Sequence, residues 1–126
     1  MNSNTKELAL IVGGSSGIGQ ETAKHLLKRG IEVILLSRCE SKLKKAKGEL
    51  DSYGTSQTVV SDLHNQNQTD SFIDRIKSEK RHIKYLVNSA GAFNPKIFLE
   101  HTKEDYDKYL DINKSLFFIT QAVAEN

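Results

Sequence analysis

Five apolar residues, Leu8-Ala9-Leu10-Ile11-Val12, run directly into Gly13-Gly14-Ser15-Ser16-Gly17-Ile18-Gly19. No other stretch constrains the chain as strongly. An apolar run of this kind, without alternation, reads as a strand buried on both faces, and a helical pattern follows the glycines. A backbone without Cβ takes positive φ and lets an anion approach the main chain closely. The opening turn of the next helix then aims its unpaired N–H groups and the positive end of its dipole at that anion. Strand, turn and helix together predict a pyrophosphate cradle formed by Gly13, Ser15, Ser16, Gly17, Ile18 and Gly19. Such turns also occur in S-adenosylmethionine methyltransferases and as plain tight turns.

The apolar rhythm continues downstream. Residues 7–12 form the first strand, and a helix is expected from about Ile18 to Arg29, with Ile18, Thr22, Leu26 and Leu27 on one side and Gly30 as its C-cap. Ile31 to Ser37 reads as a second strand. Leu43, Ala46, Leu50 and Tyr53, spaced by three and four, mark a helix ended by Gly54. Thr58-Val59-Val60 is a short third strand, followed by a helix capped by Asn67 with Asp70 at its third position and Phe72, Ile73 and Ile76 inward. Tyr85-Leu86-Val87 forms the fourth strand and leads into Asn88-Ser89-Ala90-Gly91. A loop with the sole proline, Pro95, precedes Thr102, which caps a last helix. Strands alternating with helices in this way imply a parallel sheet with right-handed crossovers. The expectation is an α/β, Rossmann-type three-layer αβα fold with strand order 3-2-1-4. Its ligand crevice lies at the carboxyl ends of strands one and four.

Composition narrows the classes. With 126 residues, and neither repeats nor a linker-like stretch, 1–126 reads as one domain. Eighteen basic residues against 16 acidic leave a net charge of +2, too little to suggest a nucleic-acid or membrane partner. Cys39 is the single cysteine and forms no internal disulfide, and the first six residues lack a signal peptide's apolar segment, so the expected location is cytoplasmic. The four histidines show no ligand spacing, so no metal site is expected.

At this point VGGSSGIG, residues 12–19, resembles the Thr-Gly-x-x-x-Gly-Ile-Gly turn of the short-chain dehydrogenase/reductase family, with Val12 in place of the usual Thr. Asn88-Ser89-Ala90-Gly91 resembles that family's Asn-Asn-Ala-Gly segment, with Ser89 in place of the second Asn. Asp62-Leu63 resembles its adenine-contacting pair. The resemblance implies hydride transfer between a nicotinamide dinucleotide and a small carbonyl or alcohol substrate. In it Asn88, Ala90 and Gly91 approach the nicotinamide-side ribose. The end of the second strand selects the cofactor, because a carboxylate there favours NAD and an Arg favours NADP. Ser37-Arg38 stands at that position, with no carboxylate before Glu40. A charge-assisted bond of roughly 1.5–3 kcal/mol lets Arg38 favour NADP(H) over NAD(H) by about 10- to 100-fold. Ser16, another position where family members carry a basic residue, is neutral here. The methyltransferase reading expects an acid where Ser37-Arg38 stands.

Tyr106, Leu110, Asn113 and Phe117 fall on one helical stripe, which places an amide among apolar neighbours that something must satisfy. Asn113 matches the family's active-site Asn, so the resemblance makes it the catalytic candidate. A second stripe, Tyr109, Ile112, Leu116, Ile119 and Val123, makes the helix apolar on two sides: one covers the sheet and the other needs a partner. By resemblance, the 102–126 helix is a candidate homo-oligomer contact. The family's Tyr-x-x-x-Lys acid/base is absent, since Gln57, Ser89, Leu110 and Asn113 stand four residues after the four tyrosines. The chain matches the amino-terminal portion of a family chain roughly twice as long and lacks its later strands. It is therefore expected to be a piece of a longer reductase, inactive alone. The alternative is a non-catalytic NADP(H)-binding or regulatory module.

Overall fold

The computed structural model describes residues 7–15, 17–91 and 95–126. Ser16, assigned to the cradle above, lies outside the described residues. The elements run β1 (Leu8–Val12), α1 (Gly17–Lys28), β2 (Glu32–Ser37), α2 (Glu40–Leu50), β3 (Ser56–Val60), α3 (Gln66–Ser78), β4 (Ile83–Asn88) and α4 (Lys103–Glu125), with a short 3₁₀ turn at Phe98–Glu100. All pairings are parallel and the strand order is β3-β2-β1-β4, as the alternation of elements implies.

β1 is buried throughout, and its alternate residues serve two cores. Ala9 and Ile11, with Val33 and Leu35 of β2, pack under Ala23, Leu27, Leu43, Ala46 and Leu50 of α1 and α2. Leu8, Leu10 and Val12, with Ile34 and Leu36, face Phe72 and Ile76 of α3 and Ile112, Ile119 and Ala122 of α4. Three layers result.

Several local expectations shift. α1 buries Gly19, Ala23 and Leu27, and Ile18 is 80% exposed instead of inward. The rotation follows from the turn before it: an ideal Cβ on Gly19 would stand 2.4 Å from the Gly13 carbonyl oxygen and 2.6 Å from Ser89 Oγ, so this face of α1 lies directly on the strand ends. α2 ends at Leu50, before Tyr53 and Gly54, because the chain turns at Asp51. α3 is capped by Asn65, not Asn67, with Asn65 Oδ1 accepting from the Gln68 N–H at 3.1 Å. Gln68 Oε1 in turn accepts from the Asp62 N–H at 2.7 Å, which ties the cap to the end of β3. Gly30, at φ +81°, does end α1.

On α4 the stripe of Tyr109, Ile112, Leu116, Ile119 and Val123 faces the protein, and Tyr106, Leu110 and Phe117 are exposed. Asn113 is exposed with them, so its amide is not buried among apolar side chains. What selects the face is a hydroxyl pair. Ser115 Oγ donates to the Leu63 carbonyl at 2.6 Å, which leaves the Thr69 hydroxyl to donate to Ser115 at 3.1 Å. At the far end of α4, Asn126 Oδ1 accepts from the Ile83 N–H at 2.6 Å. The amino end of the sheet is closed by ion pairs of Arg81 with Glu32 and Glu79 and of Lys84 with Glu7.

Thr102 and Asp105 form a reciprocal capping box at the start of α4. Asp105, only 5% exposed, also accepts from Lys96 Nζ at 2.9 Å. That ammonium, and then the Thr102 amide, hold the Asp105 carboxyl well below the usual carboxylate range. A depressed carboxylate stabilises the fold above its unfolded pKa, and the contribution fades as pH falls through the lower folded value. Asp105→Asn should therefore unfold at lower urea than the parent at neutral pH. The gap should stay constant down to about pH 5 and close progressively below about pH 4. The crowding at Gly19 predicts that Gly19→Ala costs about 1–3 kcal/mol in urea unfolding. By contrast, Gly48→Ala, in mid-α2 with nothing near its Cβ, gains about 0.5–1 kcal/mol.

Candidate functional site

At the carboxyl ends of the strands, the β1–α1 turn is held from three sides. The Gly13 and Gly14 N–H groups donate to the Leu36 carbonyl of β2, at 2.8 and 3.3 Å. Ser15 Oγ donates to Ser37 Oγ at 3.1 Å, and Ser37 Oγ also accepts from the Cys39 N–H at 3.4 Å. From β4, Ser89 Oγ reaches the Val12 and Gly13 carbonyls at 2.8 and 3.2 Å. Gly13, at φ +87°, could not carry a side chain: its Cβ would meet Ala90 N at 2.8 Å.

Above this junction opens a crevice of about 680 Å³. It gathers Gly13 and Ser15 from the turn, Ser37 and Arg38 from β2, Asp62 and Leu63 after β3, and Ala90 and Gly91 after β4. Of the residues expected from the sequence, these eight share one cavity. Gly19 lies beneath it, packed under Gly13, and Gly17, at φ +58°, stands at the start of α1 with nothing within 4 Å of its Cβ position. Three others are elsewhere. Ile18 is exposed on α1. Asn88 Nδ2 donates to Thr120 Oγ1 of α4 at 3.2 Å, so it fastens a helix to the sheet, and Ser89 makes the strand-to-strand tie. Asn113 is exposed on α4 and does not line the cavity.

The site also contains residues the sequence reading did not assign to it. Ser61, His64, Asp105, Lys108, Tyr109 and Ile112 join its wall, with Leu36 and Ser89. The α4 residues carried a signal, since Tyr109 and Ile112 belong to the stripe that faces the protein. Ser61 and His64 did not stand out, as a Ser and a His beside a strand end are ordinary. Ser61 Oγ and His64 Nδ1 are buried and have no hydrogen-bond partner among the described residues.

Electrostatically the crevice is open to an anion. Arg38 and Lys108 are exposed on its rim and make no ion pair among the described residues. Its two carboxylates are engaged: Asp62 Oδ1 accepts from the His64 N–H at 3.0 Å, and Asp105 is held by Lys96 and Thr102. Beside it the Cys39 thiol is lowered by its Ser41 hydroxyl contact and by Lys42, but the crevice wall does not include it.

The glycines test whether a dinucleotide fits. Gly13 and Gly19 draw the main chains together below, so that the glycine turn sits at the crevice without a side chain between it and an anion. The residues present suit such a ligand. Among the described residues no group of three or more His, Cys, Asp or Glu gathers as for a metal. No helix among them is long and apolar enough to cross a membrane.

Comparisons with known proteins agree with this geometry. The oxidoreductase YvrD of Bacillus subtilis, itself described as uncharacterised, is 32% identical over 127 aligned positions, covering 96% of this chain and 48% of that protein. Oxidoreductase UcpA of Salmonella typhimurium is 34% identical over 125, covering 98% of this chain and 47% of that protein. The chain thus spans about half the length of the curated relatives it matches. Among solved structures, a short-chain dehydrogenase from Sphingobium yanoikuyae in complex with NADPH superposes with a TM-score of 0.85 at 27% identity, covering 95% of this chain and 48% of that one. The family model described as short chain dehydrogenase matches residues 7–126, and with that match over a Rossmann-like sheet of order 3-2-1-4, the chain belongs to the short-chain dehydrogenase family of oxidoreductases.

Proposed function

We propose that this chain is the cofactor-binding part of an NADP(H)-dependent oxidoreductase that interconverts a small-molecule carbonyl and an alcohol. One observation carries the reading: the turn Gly13–Ser15, the Ser37-Arg38 pair and Asp62-Leu63 line a single crevice at the switch point of the sheet. In it the amides of Ser15, Ser16, Gly17, Ile18 and Gly19 hold the pyrophosphate, and Gly13 lets it sit close. Ser37 and Arg38 take the 2′-phosphate, Asp62 and Leu63 the adenine, and Ala90 and Gly91 border the nicotinamide-side ribose, with Asn88 behind them tying α4 to the sheet. The bound nicotinamide supplies the hydride chemistry, and the protein supplies orientation and proton transfer.

Arg38 is the strongest support for NADP(H). It is an exposed guanidinium at the strand end that makes no ion pair among the described residues, and the sequence carries no carboxylate between Ser37 and Glu40. The NADPH carried by the Sphingobium enzyme is consistent with the same preference. Asn113 remains the one catalytic candidate, and the Tyr-x-x-x-Lys acid/base is not in these 126 residues. The exposed Tyr106, Leu110, Phe117 and Phe118 on α4 support a packing partner for that helix, such as a second copy of the chain.

Two outcomes test the proposal. Replacing Arg38 by Leu should weaken NADPH binding about 10- to 100-fold, read by calorimetric titration, and leave NADH affinity within about threefold. An equal loss for both cofactors would sink the assignment of Arg38 to the 2′-phosphate. Second, the 126 residues alone should bind NADPH yet reduce no ketone, followed as NADPH absorbance; turnover would show that a different acid/base is present.

A further inference from the structure

We propose that Tyr109 is an aromatic wall of the crevice on which the adenine of the bound dinucleotide stacks. This rests on the dinucleotide reading above and adds a residue from α4 to it.

Tyr109, Ile112 and Ser115 follow one another at intervals of three on the same side of α4. Ser115 is the fixed point, since its hydroxyl donates to the Leu63 carbonyl and accepts from Thr69. That bond presses this side of the helix against the 61–64 turn, where Asp62 and Leu63 line the crevice. Ile112, at 8% exposure, and the half-buried Tyr109, about one turn earlier in α4, both line the crevice. The Tyr109 ring lies 6.3 Å from the His101 ring at an interplanar angle of 29°, so it is buttressed from the α4 entry side. The surface around it suits a flat, weakly polar heterocycle. Leu63 and Ile112 are aliphatic, Asp62 offers an acceptor for an exocyclic amine, and Arg38 stands on the rim for a phosphate on the ribose. Tyr109 is the one Phe, Tyr or Trp ring in that wall among the described residues, beside the smaller imidazole of His64, and a stacked base gains most from a large ring.

The probe is adenosine 2′,5′-bisphosphate, which carries the adenine and the 2′-phosphate without the nicotinamide. The chain has no Trp and four Tyr, so its intrinsic emission is tyrosine emission. Tyr53, Tyr85 and Tyr106 lie outside the crevice wall. The expected result has three parts. The probe quenches the parent's emission, Tyr109→Phe binds as tightly with that quench lost, and Tyr109→Leu binds about tenfold more weakly. Thermal unfolding without ligand accompanies each variant, and Tyr109→Phe, which keeps the ring, separates stacking from any loss of local packing. Parent-like affinity in Tyr109→Leu, or a quench that persists in Tyr109→Phe, would overturn the role of Tyr109 with the crevice reading intact. Failure of the parent itself to bind the bisphosphate would overturn the dinucleotide reading and this inference with it.

Discussion

At the end of β1 three main chains meet more closely than side chains permit. Gly13 lies against the Ser89–Ala90 backbone of the β4 exit, and Gly19 of α1 lies against the Gly13 carbonyl. Ser89 stitches the junction by donating to two successive carbonyls of β1 and its turn. The first turn of α1 is thereby pressed onto the strand ends, with Gly19 directly beneath Gly13. The inward face of α1, the floor of the cavity and the spacing between β1 and β4 all follow from this one contact.

Much of this was readable in advance, for reasons that can be named. Parallel order follows from alternating strands and helices with short connections, since right-handed crossovers leave few topologies. The cap at Thr102 and the stop at Gly30 are local, decided within three or four residues. What escaped was tertiary. The rotation of α1 depends on where Gly19 lands, a contact with a residue six positions earlier and a strand 70 residues away, and so Ile18 turned outward. Two asparagines, Asn65 and Asn67, were equally good caps by type. The first is used because it lets Gln68 bind the Asp62 amide as well.

The last helix shows the limit of periodicity most clearly. Both of its stripes carry large apolar residues, and the one with Phe117 faces outward. A hydroxyl decided the matter. Ser115 reads as a solvent-facing residue in a linear pattern, but it satisfies the carbonyl of Leu63, which is otherwise left by the turn after β3. Choosing that face brought Tyr109 and Ile112 to the crevice and sent Asn113 to the surface.

The ion pairs at the amino end of the sheet have a consequence of their own. Arg81 is shared between Glu32 and Glu79 at 16–21% side-chain exposure, a cluster with one negative charge in excess, and Lys84 pairs one-to-one with Glu7 nearer the surface. At the opposite end Arg38 and Lys108, on an open rim, make no ion pair among the described residues. The two ends of the sheet therefore differ in how their charges are paired. Added salt screens the exposed cations of the crevice rim far more than the partly shielded pairs that fasten the other end.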